Sequence, residues 1–86
     1  MKTTIEVTTE DIAKGQPCDG SFCPIALACD RLGLVLAVCD TELLDAGCNH
    51  VCDLPIEAQQ FVRDFDDGRF VAPFCFEVEL PEMVSC

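Results

Sequence analysis

The segment 55–80, PIEAQQFVRDFDDGRFVAPFCFEVEL, decides the fold, because a helical period gives way to a strand period within it. Pro55 begins the helical part and Gly68 closes it. Between them, apolar residues recur at i, i+3, i+4 and i+7: Ala58, Phe61, Val62 and Phe65. From 74 to 80 apolar and other residues alternate, which predicts a strand with one buried face. Both periods in one segment favour an α+β fold.

Further elements are predicted upstream of this segment. Residues 3–8 alternate as a half-buried strand, and 9–15 predict a short helical turn with Thr9 as its N-cap. A helix begins at Pro24 and ends at Gly33. The apolar run 34–39 predicts a central strand that is covered on both sides or paired internally, and 48–54 predicts a weaker strand.

The predicted order is strand, turn, helix, strand, strand, helix, strand, in one domain that spans residues 1–86. The economical arrangement is a small antiparallel or mixed sheet of about four strands with two helices packed on one face. A chain of 86 residues and 9.4 kDa supports one modest core. This size excludes a two-domain enzyme with a cleft between the domains.

The charge of the chain limits the classes of partner. Sixteen Asp and Glu stand against five Lys and Arg, a formal net charge of −11, whereas a nucleic-acid binder needs the opposite sign. An acidic surface speeds encounters with a basic one, which predicts a protein with a basic surface as the partner. Solubility alone is the alternative explanation, and a homo-oligomer stays open. The candidate partner-binding acids are Asp64, Asp66, Asp67, Glu77 and Glu79.

The N-terminal stretch MKTTIEVTTEDIAKG contains no apolar run of secretory length, and the longest apolar run, 34–39, is too short to cross a bilayer. We therefore expect no membrane contact and a location in a cytoplasm. His50 is the only histidine, so any Cys–His catalytic pair would have to use it. We expect a non-enzymatic protein without a cofactor.

Eight cysteines leave three interpretations open. A reducing cytoplasm favours free thiols, whereas disulfides would join Cys18 to Cys23 or Cys39 to Cys48. If the segment 48–52 is extended, its two cysteines and His50 share a face but the cysteines lie about 13 Å apart. Only a tight turn would then bring them to one ion. A zinc-stabilised module would use Cys18, Cys23, Cys48 and Cys52.

The loop 15–22 leads into a helix start at Pro24, where free N–H groups and the helix dipole attract anions. It predicts a site that sequesters a phosphorylated metabolite or signalling nucleotide, with an ordinary Pro-initiated helix as the alternative. The candidate ligand-binding residues are Ser21, Cys23, Pro24, Arg31, Arg63 and Arg69. The acidic stretch 64–68 lacks the ligand spacing of a calcium loop and predicts a solvated helix end.

Three stretches carry a family resemblance: VTTEDIAKG at 7–15, CPIALA at 23–28, and LPxxAxxFxxxFDxGRxVxPFxFE at 54–77. Together they resemble a family of small uncharacterised proteins encoded by phages, prophages and some bacteria. The resemblance implies a phage-type accessory protein of about this length, and it implies no catalytic activity. With the acidic charge, it predicts a host or phage protein with a basic surface as the partner and the cytoplasm of a bacterial host cell as the location. The leading hypothesis is thus an acidic binding protein, for example an inhibitor of a host-defence or nucleic-acid-processing factor.

Overall fold

A computed structural model describes residues 2–39 and 41–80, and within them the chain forms three helices and five strands. In chain order these are β1 (Lys2–Val7), α1 (Thr9–Lys14), α2 (Pro24–Arg31), β2 (Ala37–Cys39), β3 (Glu42–Leu44), β4 (His50–Asp53), α3 (Ile56–Asp66) and β5 (Phe74–Glu79). The predicted α+β class is confirmed. The strands form two antiparallel sheets, a pair β1–β5 and a triplet β2–β3–β4, where the sequence predicts one sheet of about four.

The pair β1–β5 joins the two ends of the described chain. Its register sets Ile5 opposite Phe76, and Lys2 opposite Glu79. Alternate residues point into the core, as the strand period predicts, and the intervening ones are exposed. Helix α2 packs against β1, and Phe61 of α3 contacts Phe74 of β5, so both longer helices cover the buried face of this pair.

The triplet is built from strands of three or four residues, and the loop before α2 hydrogen-bonds to its β2 edge. The apolar run 34–39 contributes only Ala37–Cys39 to β2, and Val35 is 48% exposed. At the edge, the Val38 N–H donates to the Gly20 carbonyl at 2.9 Å. A Cβ on Gly20 would lie 2.4 Å from the Val38 carbonyl oxygen, so only glycine allows this approach. The loop 15–22 therefore lies along the β2 edge of the triplet.

Helix α1 is capped one residue earlier than the sequence predicts. The N-cap is Thr8, whose Oγ1 accepts from the Asp11 N–H at 3.3 Å while Asp11 Oδ2 accepts from the Thr8 N–H at 2.9 Å, a capping box. The core lies between the β1–β5 pair, the helices and the inner face of the triplet. Its largest fully buried side chains are Ile5, Val7, Pro24, Ile25, Cys29, Leu43 and Leu80.

Candidate functional site

A shallow apolar groove of about 660 Å³ lies between α1, the loop that follows it and the segment 68–73 after α3. Arg69 is the one charged residue among its described lining residues. We call this surface the Phe70 groove. Its apolar lining consists of Ile12, Pro17, Phe65, Phe70, Val71 and Pro73.

One wall of the groove forms where α3 ends. Gly68 adopts a left-handed backbone, with φ of +78°. Its N–H donates to the Phe65 carbonyl at 3.1 Å, and the Arg69 N–H donates to the Asp64 carbonyl at 2.8 Å. These two hydrogen bonds make a Schellman C-cap. The chain leaves the helix here, and residues 69–73 run outside any helix or strand.

The other wall is the loop 15–22, which is tied to α3. The Cys18 N–H donates to Asp66 Oδ1 at 2.8 Å, and the Gln16 N–H donates to the Phe22 carbonyl at 2.8 Å. Cys18 itself has a left-handed backbone, with φ of +59°. These constraints hold Pro17 beside the groove.

Phe70 is the most exposed large apolar residue of the described chain, at 91%. Burying such a side chain yields about 1.5–3 kcal/mol, a gain that the isolated protein forgoes. An exposed aromatic residue beside an apolar groove is typical of a surface that another molecule covers. Sequence reasoning missed this site. The available signal was a pair of large apolar residues, Phe70 and Val71, placed between Gly68 and Pro73 outside any element.

The predicted partner-binding acids divide into two groups, the first of them at the end of α3. Asp64 Oδ1 lies 3.7 Å from Arg69 Nη1, and Asp66 accepts the Cys18 N–H. Asp67 is exposed at the C-cap position. Two of these three carboxylates are therefore engaged within the chain itself. None of the three is among the lining residues of the Phe70 groove, and Asp66 lines a separate depression with Cys18 and Cys23.

The second group lies on the exposed face of β5. Glu77 Oε2 is 4.0 Å from Lys2 Nζ, and Glu79 is opposite Lys2 in the register. Glu77 also lines a depression with Glu57, which belongs to the first turn of α3. The five predicted acids thus lie in two groups, one at the C-terminal end of α3 and one on β5, and do not form one acidic face.

The predicted ligand-binding residues are not gathered either. Cys23 and Pro24 are buried at the start of α2, so the N–H groups of this helix start do not face solvent. Arg31 lies at the other end of α2, about 10 Å along the helix axis. Arg69 pairs with Asp64, and Arg63 is exposed on α3. Ser21 lines a different groove, together with Phe22.

The predicted zinc ligands do not converge. Cys18 is exposed in the loop before α2, and Cys23 is buried at the helix start. Cys48 is exposed between β3 and β4, with φ of +64°, and Cys52 packs against the core. The seven described cysteines are free thiols, and neither predicted disulfide is formed among them.

A different set of donors does converge. Within residues 2–39 and 41–80, one group of three or more His, Cys, Asp or Glu donor atoms lies within 4.8 Å: Glu42, His50 and Asp53. His50 Nδ1 is 2.8 Å from Glu42 Oε2, and His50 Nε2 is 3.8 Å from Asp53 Oδ1.

Burial makes three thiols poor nucleophiles. It raises the pKa of Cys29 to about 12, and it raises the pKa of Cys23 and of Cys52 above the usual value. At Cys23 the backbone N–H groups of Ile25 and Ala26 act in the opposite direction, but burial dominates. These thiols stay protonated at neutral pH and serve packing.

Comparison of the chain with protein-family models, with curated proteins and with solved structures finds no match. No helix in the described part of the chain is both long enough and apolar enough to cross a membrane.

Proposed function

We propose that this chain is a non-enzymatic binding protein of phage type that docks on a host or phage protein with a basic surface, through the Phe70 groove. The observation that supports it is the exposure of Phe70 beside an apolar groove in a chain of net charge −11. A groove of this kind anchors a partner side chain, and the charge of the whole chain attracts a cationic partner.

The occupant that we assign is a partner segment with an aromatic or aliphatic side chain between Lys or Arg residues. The apolar lining takes the apolar side chain, and the nearby acids favour the flanking cations. Arg69 opposes such a segment weakly, because its guanidinium is paired with Asp64. Asp67 adds an exposed negative charge at the adjacent helix end.

The resemblance to phage and prophage proteins favours the cytoplasm of a bacterial host cell as the place of action. An inhibitor of a host-defence or nucleic-acid-processing factor is the form that we favour, since nucleic-acid-handling proteins carry basic surfaces. Docking there would compete with nucleic acid for the same surface. A second copy of this chain is a poor occupant, because two molecules of charge −11 repel each other.

A random-sequence peptide display library tests the proposal. Selection on the wild-type chain, with counter-selection on a Phe70→Ser variant, removes peptides that bind through general acidity alone. We expect the remaining peptides to combine Lys or Arg with an aromatic or aliphatic residue, and to bind more weakly as salt is raised. Selected peptides that lack basic residues, or affinities that do not change with salt, would contradict the proposal.

A further inference from the structure

The hairpin β3–β4 carries two carboxylates directly opposite each other. The register pairs Glu42 with Asp53, and both side chains lie on the outer face of the triplet. Like charges in directly opposite positions destabilise an antiparallel pair. A cation between them would convert this repulsion into attraction.

A β-bulge brings His50 to the same face. The register passes from Leu43↔Cys52 to Leu44↔His50, so Val51 is an extra residue. Strict alternation would place residues 50 and 53, three apart, on opposite faces of the sheet. Instead His50 and Asp53 are both exposed, while Val51 and Cys52 both pack against the core. Bulges commonly re-aim a side chain next to a functional site.

The loop 45–49 fixes the turn that leads into this bulge. Asp45 Oδ1 accepts from the N–H groups of Asn49 at 3.0 Å and of Gly47 at 2.9 Å. Hydrogen bonds from the backbone N–H groups of Asn49 and Gly47 lower the pKa of Asp45, although desolvation acts in the opposite direction. The Asp45 N–H donates in turn to the Asn49 carbonyl at 2.9 Å. His50 therefore follows a turn held by several hydrogen bonds.

We propose that Glu42, His50 and Asp53 form a binding site for a divalent first-row transition-metal ion such as Zn²⁺. Imidazole nitrogen and carboxylate oxygen are the ligands of many zinc sites, at about 2.0–2.2 Å. Donors on one such ion lie roughly 3–4 Å apart, so the spread of 4.8 Å needs only small side-chain rotations. In the structure the His50 ring lies between the carboxylates of Glu42 and Asp53. A rotation of this ring would turn one of its nitrogens toward an ion that both carboxylates reach.

Nuclear magnetic resonance of the His50 ring tests this site, because the chain has a single histidine. Zn²⁺ is added alone to the reduced wild-type chain. Direct coordination shifts the ring nitrogen resonances, whereas Zn²⁺ held only by thiols leaves them unchanged. We expect a saturable shift, and a ring that does not respond to Zn²⁺ would overturn the proposal.

Variants separate a three-ligand site from a lone surface histidine. Glu42→Gln and Asp53→Asn each keep the side-chain size, and each should weaken Zn²⁺ binding about tenfold or more, since even outer-shell partners of a metal contribute ~10–100-fold. The matched control removes two exposed carboxylates elsewhere, Glu6→Gln with Glu57→Gln, and should leave the affinity within about twofold. Equal affinity in wild type and in the Glu42→Gln, Asp53→Asn double variant, with a preserved amide spectrum, would contradict the proposal.

Discussion

Asp66 Oδ1 accepts a hydrogen bond of 2.8 Å from the backbone N–H of Cys18, 48 residues away in the sequence. This contact ties the loop 15–22 to the C-terminal end of α3, and these are the two walls of the Phe70 groove. The Asp66 carboxylate therefore helps to order the two walls of the groove, and its Oδ1 already accepts a hydrogen bond within the chain.

The first prediction concerns this contact. Asp66→Ala removes the acceptor and should lower the free energy of unfolding by about 1 kcal/mol. It should also weaken the binding of a groove-selected peptide, because the loop must then be ordered on binding. Asp66→Asn keeps an acceptor oxygen and should restore most of both quantities. Urea unfolding and peptide titration measure them, and equal loss in the two variants would contradict this role.

A second prediction concerns the pair Asp11 and Arg31. Asp11 is 6% exposed and is the one buried charged residue of the described chain. Arg31 Nη2 lies 3.1 Å from its Oδ2 and also donates to the Glu6 carbonyl at 2.7 Å. Arg31→Met leaves the carboxylate without this partner and should cost about 1–3 kcal/mol in urea unfolding. The exposed Arg63→Met control should change stability by less than about 0.5 kcal/mol.

A third prediction compares two left-handed positions. Cys48 has φ of +64°, which costs a side-chain-bearing residue about 1 kcal/mol, so Cys48→Gly should raise the free energy of unfolding by up to that amount. Gly68 has φ of +78°, and an added Cβ would meet no atom within 4 Å, so Gly68→Ala should lower the free energy of unfolding by about 1 kcal/mol through backbone strain alone. Thermal and urea unfolding measure both, and destabilisation by Cys48→Gly would show that its side chain is needed.

The fourth prediction is a loss of stability in alkali. Burial raises the pKa of Cys29 from 9.0 to about 12, so the folded state keeps this proton after the unfolded state has released it. The stabilisation is complete below about pH 9 and is lost as the pH rises toward 12, at about 1.4 kcal/mol per pH unit. Urea unfolding between neutral and alkaline pH measures this slope. Cys29→Ala should have a smaller slope, and an equal slope would contradict the assignment.

Sequence periodicity was enough to predict the α+β class, the two longer helices and the buried faces of β1 and β5, but not that these two strands pair. The separation into two sheets was not predictable, because strand pairing joins residues far apart in the sequence, such as Ile5 and Phe76, and periodicity does not specify partners. The exposed position of His50 depends on a one-residue β-bulge, which the alternation of apolar and polar residues in the sequence does not predict. The Phe70 groove arises from three segments that meet only in the folded chain.

The decisive measurement is the affinity of one peptide, selected on the wild-type chain without counter-selection, for two variants. Phe70→Ser removes an apolar side chain at the groove, and Ile56→Ser removes one of 75% exposure at the other end of α3. Removal of a binding anchor costs about 2 kcal/mol or more, so Phe70→Ser should weaken binding at least about tenfold. Ile56→Ser should bind like the wild type. Equal affinities for the two variants would contradict docking through the Phe70 groove.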